Sequence, residues 1–170
     1  MSIARVSMIL ALVSLIAACG RSGTTTITTA APEWIVVEAP TGDVSVSHAK
    51  AQAAEGETIV IRGRIGGRRD PISTDAATFI LVDVAIPSCD QIPGDNCPTP
   101  WDYCCEPSES MMAGTAAVQI VDETGHVRHV DLKKFGIKPL DTVIVTGTVA
   151  ARPNPQTLVI KGHTLHRATP

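Results

Sequence analysis

Aromatic side chains are nearly missing from this sequence. Two Trp, one Tyr and two Phe make up 3% of 170 residues. So few rings leave little surface on which bases or sugars could stack. Neither sign of charge dominates: the formal net charge is −3, with 18% charged residues. No global field therefore draws the chain to nucleic acid or to anionic lipid. No Cys-x-x-Cys pair occurs, which removes both the usual zinc knuckle and the thioredoxin-type redox motif. No nucleophile and base stand at a usable spacing, so the chain reads as a non-enzyme without a cofactor. One apolar run, Met8 to Ala18, is too short for a permanent transmembrane helix.

What the sequence does hold is concentrated in one stretch. Four of the five cysteines, Cys89, Cys97, Cys104 and Cys105, fall between Ser88 and Glu106, with Trp101 and the single tyrosine, Tyr103. Strand-like segments flank this stretch on both sides, and Ser88 to Gly114 shows no clear regular structure. A gap of about 27 residues is long for a connection in a compact domain and calls for a staple.

The N-terminus reads as an address. Arg5 precedes the apolar run, and Leu15-Ile-Ala-Ala-Cys19-Gly20 follows it, the layout of a secretory signal. Leu-Ile-Ala-Ala-Cys resembles the lipobox of bacterial lipoproteins. That resemblance implies a signal peptide over 1–18 and a mature chain beginning at Cys19, its thiol carrying lipid. Two or three acyl chains anchor stably where one is marginal. A plain signal peptide cut after Ala18 is the alternative. Either way the protein is exported, and the lipid would make a membrane its first partner. Residues 19–32, rich in Thr, Ser and Gly, cannot bury a core and read as a flexible linker.

The remainder reads as mainly β. Residues 33–56 suggest an extension: an edge strand over Glu33 to Glu38, then a short helix within Asp43 to Glu55, stopped by Gly56. From Thr58, Ile59, Ile61 and Ile65 share one parity while Val60, Arg62 and Arg64 take the other, the mark of a half-buried strand. Further strands are expected over Thr78 to Ile86, Ala116 to Val121, Asp141 to Ala150 and Thr157 to Leu165. Asp122 to Gly125 has the form of a hairpin turn, with a short return over His126 to Val130. Asp131 to Gly136 reads as a short capped helix. Gly63, Gly147 and Gly162 lie inside strands, where small barrels need sharp coiling.

This order, with the cadences of Arg62 to Gly67 and Val143 to Val149, resembles the OB-fold superfamily over 57–167. The resemblance implies an OB-like five-stranded barrel with a short helix and a long Cys-rich loop, 88–114. The segment Gly94 to Cys105 also resembles one found in uncharacterised exported bacterial proteins. It implies an address and a fold, but no activity.

In an exported chain the first expectation for four cysteines is two disulfides. The preferred pairing joins Cys89 and Cys97 each to one member of the adjacent pair, because a Cys104–Cys105 bond needs a strained ring. Each bridge would stabilise the loop by roughly 2–4 kcal/mol. The sharper alternative is a metal site on Cys89, Cys97, Cys104 and Cys105, for zinc, or for copper(I) with Met111 and Met112 nearby. His126 with His129, and His163 with His166, have a spacing that puts partners on opposite faces of a strand, so they read as solvent-facing. Asp70, Asp75, Asp83 and Asp102 sit at turns or strand ends. Arg62, Arg64 and Lys161 form a candidate basic stripe for a polyanion, although exported address and missing rings weigh against nucleic acid. The combined expectation is a lipid-anchored module on the extracytoplasmic face of the cell envelope. It would bind an envelope protein or polymer, or serve a structural role, with metal binding as the alternative.

Overall fold

A computed structural model describes residues 31–168. The signal peptide, Cys19 and nearly all of the linker lie outside the described residues. Those described belong to one compact unit.

The strands are β1 (Val44–Ser45), β2 (Thr58–Ile65), β3 (Thr78–Val82), β4 (Thr115–Ile120), β5 (Thr142–Val149) and β6 (Val159–Arg167). Their order is β1-β2-β3-β4-β6-β5, and β2 also pairs with β5. β2, β3, β4, β6 and β5 therefore close a five-stranded barrel. Only β4–β6 within it is parallel; β1 adds a short parallel pairing to β2 at Ile61 and Arg62. This is the OB-type arrangement the element order implied.

Period-two alternation does the folding work. Along β2 the burial alternates residue by residue, and Ile61 and Ile65 are fully buried. Phe79, Leu81, Val118, Ile120, Val143, Val145, Ile160 and Leu165 complete the interior. Each such side chain contributes about 1.5–3 kcal/mol of transfer free energy. Gly147 marks an irregularity in the pairing of β5 with β6. The β5–β6 register shifts there, and a Cβ at this position would lie 2.5 Å from the Lys161 carbonyl oxygen. A bulge without a side chain lets the two strands close tightly.

Helix α1 (Val46–Gln52) caps one end of the barrel, burying Val46 and Ala49. The Ser45 hydroxyl accepts from the His48 amide at its start. It is shorter than the expected span, and the chain leaves it at Ala53 rather than at Gly56. Trp34 packs edge-on to Phe135, with ring centroids 5.6 Å apart.

Several expected elements are trimmed. The edge strand at 33–38 reduces to one bridge, Ile35 to Leu165. The return at 126–130 likewise reduces to Val121 against Val127. β3 stops at Val82 because Asp83, 2% exposed, turns inward and accepts from the Ser47 and Ala85 amides at 2.8 and 3.0 Å. The long connection is less irregular than expected. It contains single 3-10 turns at Cys89–Gln91 and Pro100–Asp102 and ends in helix α2 (Ser108–Gly114). The predicted helix after Asp131 is a 3-10 turn, Leu132–Phe135, with the Asp131 carboxylate accepting from the Lys133 amide and Gly136 at φ 79°.

Candidate metal centre in the cysteine loop

Two aspartates shape the loop. Asp95 Oδ1 accepts from the Cys97 amide at 2.9 Å, and Asp102 Oδ1 accepts from the Cys104 amide at 3.0 Å. Each is an Asx turn, and each fixes a cysteine two residues on. The sequence shows the same spacing twice, Asp95-Asn96-Cys97 and Asp102-Tyr103-Cys104. The Thr99 hydroxyl donates to Asp102 Oδ2 at 2.8 Å and holds that carboxylate below its usual pKa.

Tyr103 then turns the chain. Its φ is 59°, in the left-handed region, at a strain of order 1–3 kcal/mol for a residue with a side chain. Burial holds it there: Tyr103 is 2% exposed. Arg64 on β2 donates to the Tyr103 hydroxyl at 3.4 Å and to Gln91 Oε1 at 2.7 Å. The loop also bonds to the barrel through its backbone. The Gly67 amide donates to the Trp101 carbonyl at 2.8 Å, and Trp101 Nε1 donates to the Arg69 carbonyl at 2.9 Å. Gly66 makes this close docking feasible, since a Cβ there would meet Tyr103 Cε2 at 2.6 Å.

The result is a convergence of sulfur. Cys104 Sγ lies 3.7 Å from Cys97 Sγ, 3.8 Å from Cys105 Sγ and 4.0 Å from Cys89 Sγ. All four cysteines are free thiols. A disulfide needs about 2.05 Å, so these are non-bonded contacts. Tetrahedral thiolates about 2.3 Å from one zinc stand roughly 3.8 Å apart. One donor atom each from Cys89, Cys97, Cys104 and Asp102 falls within 4.8 Å of all the others in that set. Donors from Cys89, Asp95 and Cys105 form a second set within the same limit.

The structure brings the four cysteines together without joining any two of them. Cys89 and Cys97 both approach Cys104, while the Cys105 thiol donates to Asp95 Oδ2 at 3.2 Å. Cys89 is buried, Cys97 half-buried, and the adjacent pair exposed. The Thr99 amide lowers the pKa of Cys97. Cys104 is pushed up by the neighbouring Cys97 sulfur and the Asp102 carboxylate, and Cys105 by Asp95. Asp95 and Asp102 are the site residues that sequence reasoning missed as donors.

Two of the three residues of the basic stripe are engaged within the fold. Arg62 forms a two-pronged ion pair with Asp43, at 2.6 and 3.2 Å, and Arg64 holds the cysteine loop; Lys161 is exposed on β6. The pair raises the Arg62 pKa and lowers that of Asp43. His126, His129 and His163 are exposed as expected, whereas His166 is half-buried with Nδ1 3.2 Å from the Val36 carbonyl. Met112 lines a groove of about 780 Å³ between α1, α2 and the β5–β6 turn, away from any cysteine lining. Lys50 and Arg152 in that groove donate to backbone carbonyls and tie α1 to its neighbours. No helix among the described residues is long and apolar enough to cross a membrane.

The sequence matches no family model and no curated protein. Among solved structures, the hypothetical protein ygiW from E. coli is similar over 76% of this chain and 94% of its own, at 19% identity and a TM-score of 0.38. A putative aspartyl-tRNA synthetase from Leishmania major Friedlin is similar at 15% identity and a TM-score of 0.41, over 84% of this chain and 22% of its own. This chain thus spans about a fifth of the synthetase. Neither likeness bears on what this chain does.

Proposed function

We propose that this protein is a lipid-anchored, extracytoplasmic metal-binding module whose OB-type barrel displays a zinc site on its cysteine loop. The observation that carries this reading is the spacing of the Cys97, Cys104 and Cys89 sulfurs, 3.7 and 4.0 Å about Cys104, with Asp102 completing a four-donor set. Mixed thiolate and carboxylate donors suit zinc, a borderline ion; copper(I) prefers sulfur throughout. The lipobox-like Leu15 to Cys19 supports the anchor and the envelope address. The role is structural or binding rather than catalytic, with an envelope protein or polymer as partner.

A second reading has one observation in its favour. Cys104 Sγ lies 4.0 Å from Cys89 Sγ and 3.7 Å from Cys97 Sγ, and an exported loop meets oxidants. Mass spectrometry of the full-length chain, taken from the membrane fraction without reductant and treated with an alkylating agent, separates the two. The zinc reading expects bound zinc and four alkylatable thiols after chelation. No alkylation and a mass four hydrogens below the reduced value would establish two bridges and end the metal reading.

A further inference from the structure

We infer that the loop holds two divalent ions rather than one, with the Cys89 thiolate bridging them. This rests on the metal-binding reading and extends it. The two donor sets share one atom, the sulfur of Cys89. The first, Cys89, Cys97, Cys104 and Asp102, already fills a tetrahedral shell. An ion there leaves Cys105 and Asp95 over. Yet Asp95 is placed by the same turn that sets Cys97: Oδ1 takes the Cys97 amide while Oδ2 faces the Cys105 thiol at 3.2 Å. A thiol held on a carboxylate is a site where a cation replaces the proton. The S–H bond gives way to S–metal and O–metal bonds, and the proton leaves to solvent.

Charge argues the same way. With one zinc on the first set, Cys105 keeps its proton on Asp95, and three thiolates and two carboxylates leave three negative charges uncompensated. A second zinc that displaces that proton brings six charges against four and leaves two, with Arg64 alongside the loop. The shared sulfur is also the buried one: Cys89 belongs to both sets and is 1% exposed. The second ion, held by Cys89, Cys105 and Asp95, has a fourth position open to water on the exposed side of Cys105. It is the more readily exchanged of the two.

Cobalt(II) and zinc(II) titrations of the full-length chain, metal-free, reduced and anaerobic, test this. Two equivalents of zinc are expected, one removed by chelator well before the other. The cobalt(II) paramagnetic signal should grow to one equivalent and fall towards the second, because a shared thiolate couples the two spins. Cys105→Ser and Asp95→Asn should each lower the stoichiometry from two to one and keep the thiolate-to-cobalt absorption of the first ion, which also reports that the loop is folded. A stoichiometry of one in the unaltered chain overturns the two-ion inference and leaves the zinc reading standing. Two ions without spin coupling, or a second ion that survives both substitutions, overturns the Cys89 bridge. No bound metal at all overturns both.

Discussion

Gly66 decides how closely the cysteine loop approaches the barrel. An added methyl would meet the Tyr103 ring and the Trp101 carbonyl at 2.6 and 2.7 Å. One is a fully packed ring and the other backbone, so neither yields cheaply. Gly66→Ala is expected to cost about 1–3 kcal/mol by overpacking, read as a lower urea midpoint, and to weaken zinc binding as the loop lifts. An unchanged midpoint would contradict this account of the docking. Arg64 acts differently, because it holds Tyr103 and Gln91 from outside the donor set. Arg64→Ala is expected to lower zinc affinity by roughly tenfold, as outer-shell losses do, in a chelator competition assay. Asp83 belongs to the barrel. Burial pushes its pKa up, but the amides of Ala85 and Ser47 outweigh burial and hold it below the usual carboxylate range. A depressed folded pKa means stability present above the unfolded value, about 3.9, and lost as pH falls through the lower folded one. Asp83→Ala should therefore cost about 1.5–3 kcal/mol at neutral pH. Its denaturation midpoint should also vary less with pH below about 4 than that of the unaltered chain.

At the scale of elements, the barrel and the loop are built by different forces. The hydrophobic core cluster contains no cysteine and neither Trp101 nor Tyr103. Removing metal should then loosen 88–106 and leave the sheet intact. In a Trp34→Phe background, chelation is expected to shift the emission of Trp101 while the far-ultraviolet β signal stays unchanged; loss of both together would show the barrel depends on the loop. This division also explains what could be read from sequence. β2 is legible because burial on one face writes itself as alternation. Where a strand's end is decided by a distant amide, as at Asp83, local pattern overshoots. Helix α2, Ser-Glu-Ser-Met-Met-Ala-Gly, has no side-chain cap and little amphipathic signal, so nothing local announces it. The convergence of the cysteines followed from their count, but the carboxylates did not. An Asp two residues before a Cys is a legible Asx-turn cue, but it reads as turn chemistry until the sulfurs are seen to meet. Arg64 falls on the wet parity of β2, and the loop covers it there, a tertiary effect with no local mark.

For the whole molecule, the proposed anchor and the proposed metal site are separable. A linker of the composition and length of 19–32 would span roughly 20 Å end to end if it behaves as a Gly/Ser-type coil, and the proposed lipid at Cys19 would then keep the barrel near a membrane surface. Among the described residues, Cys89, Asp95, Cys97, Asp102, Cys104 and Cys105 are positioned by the loop and β2. Anchoring should accordingly vary independently of metal content. Cys19→Ser removes the thiol that would carry lipid. It is expected to move the protein from the membrane fraction to the soluble one, or to leave it as unprocessed precursor, with zinc content per folded chain unchanged. Cys97→Ser should do the reverse, keeping the protein in the membrane fraction while lowering its zinc. If the Cys19→Ser protein stays tightly on membranes with its signal removed, something other than acyl chains holds it, and the lipid reading fails while the metal reading stands. If instead zinc falls together with membrane attachment, the two functions are coupled through the linker, and the loop is not the self-contained site that its hydrogen bonds to β2 describe.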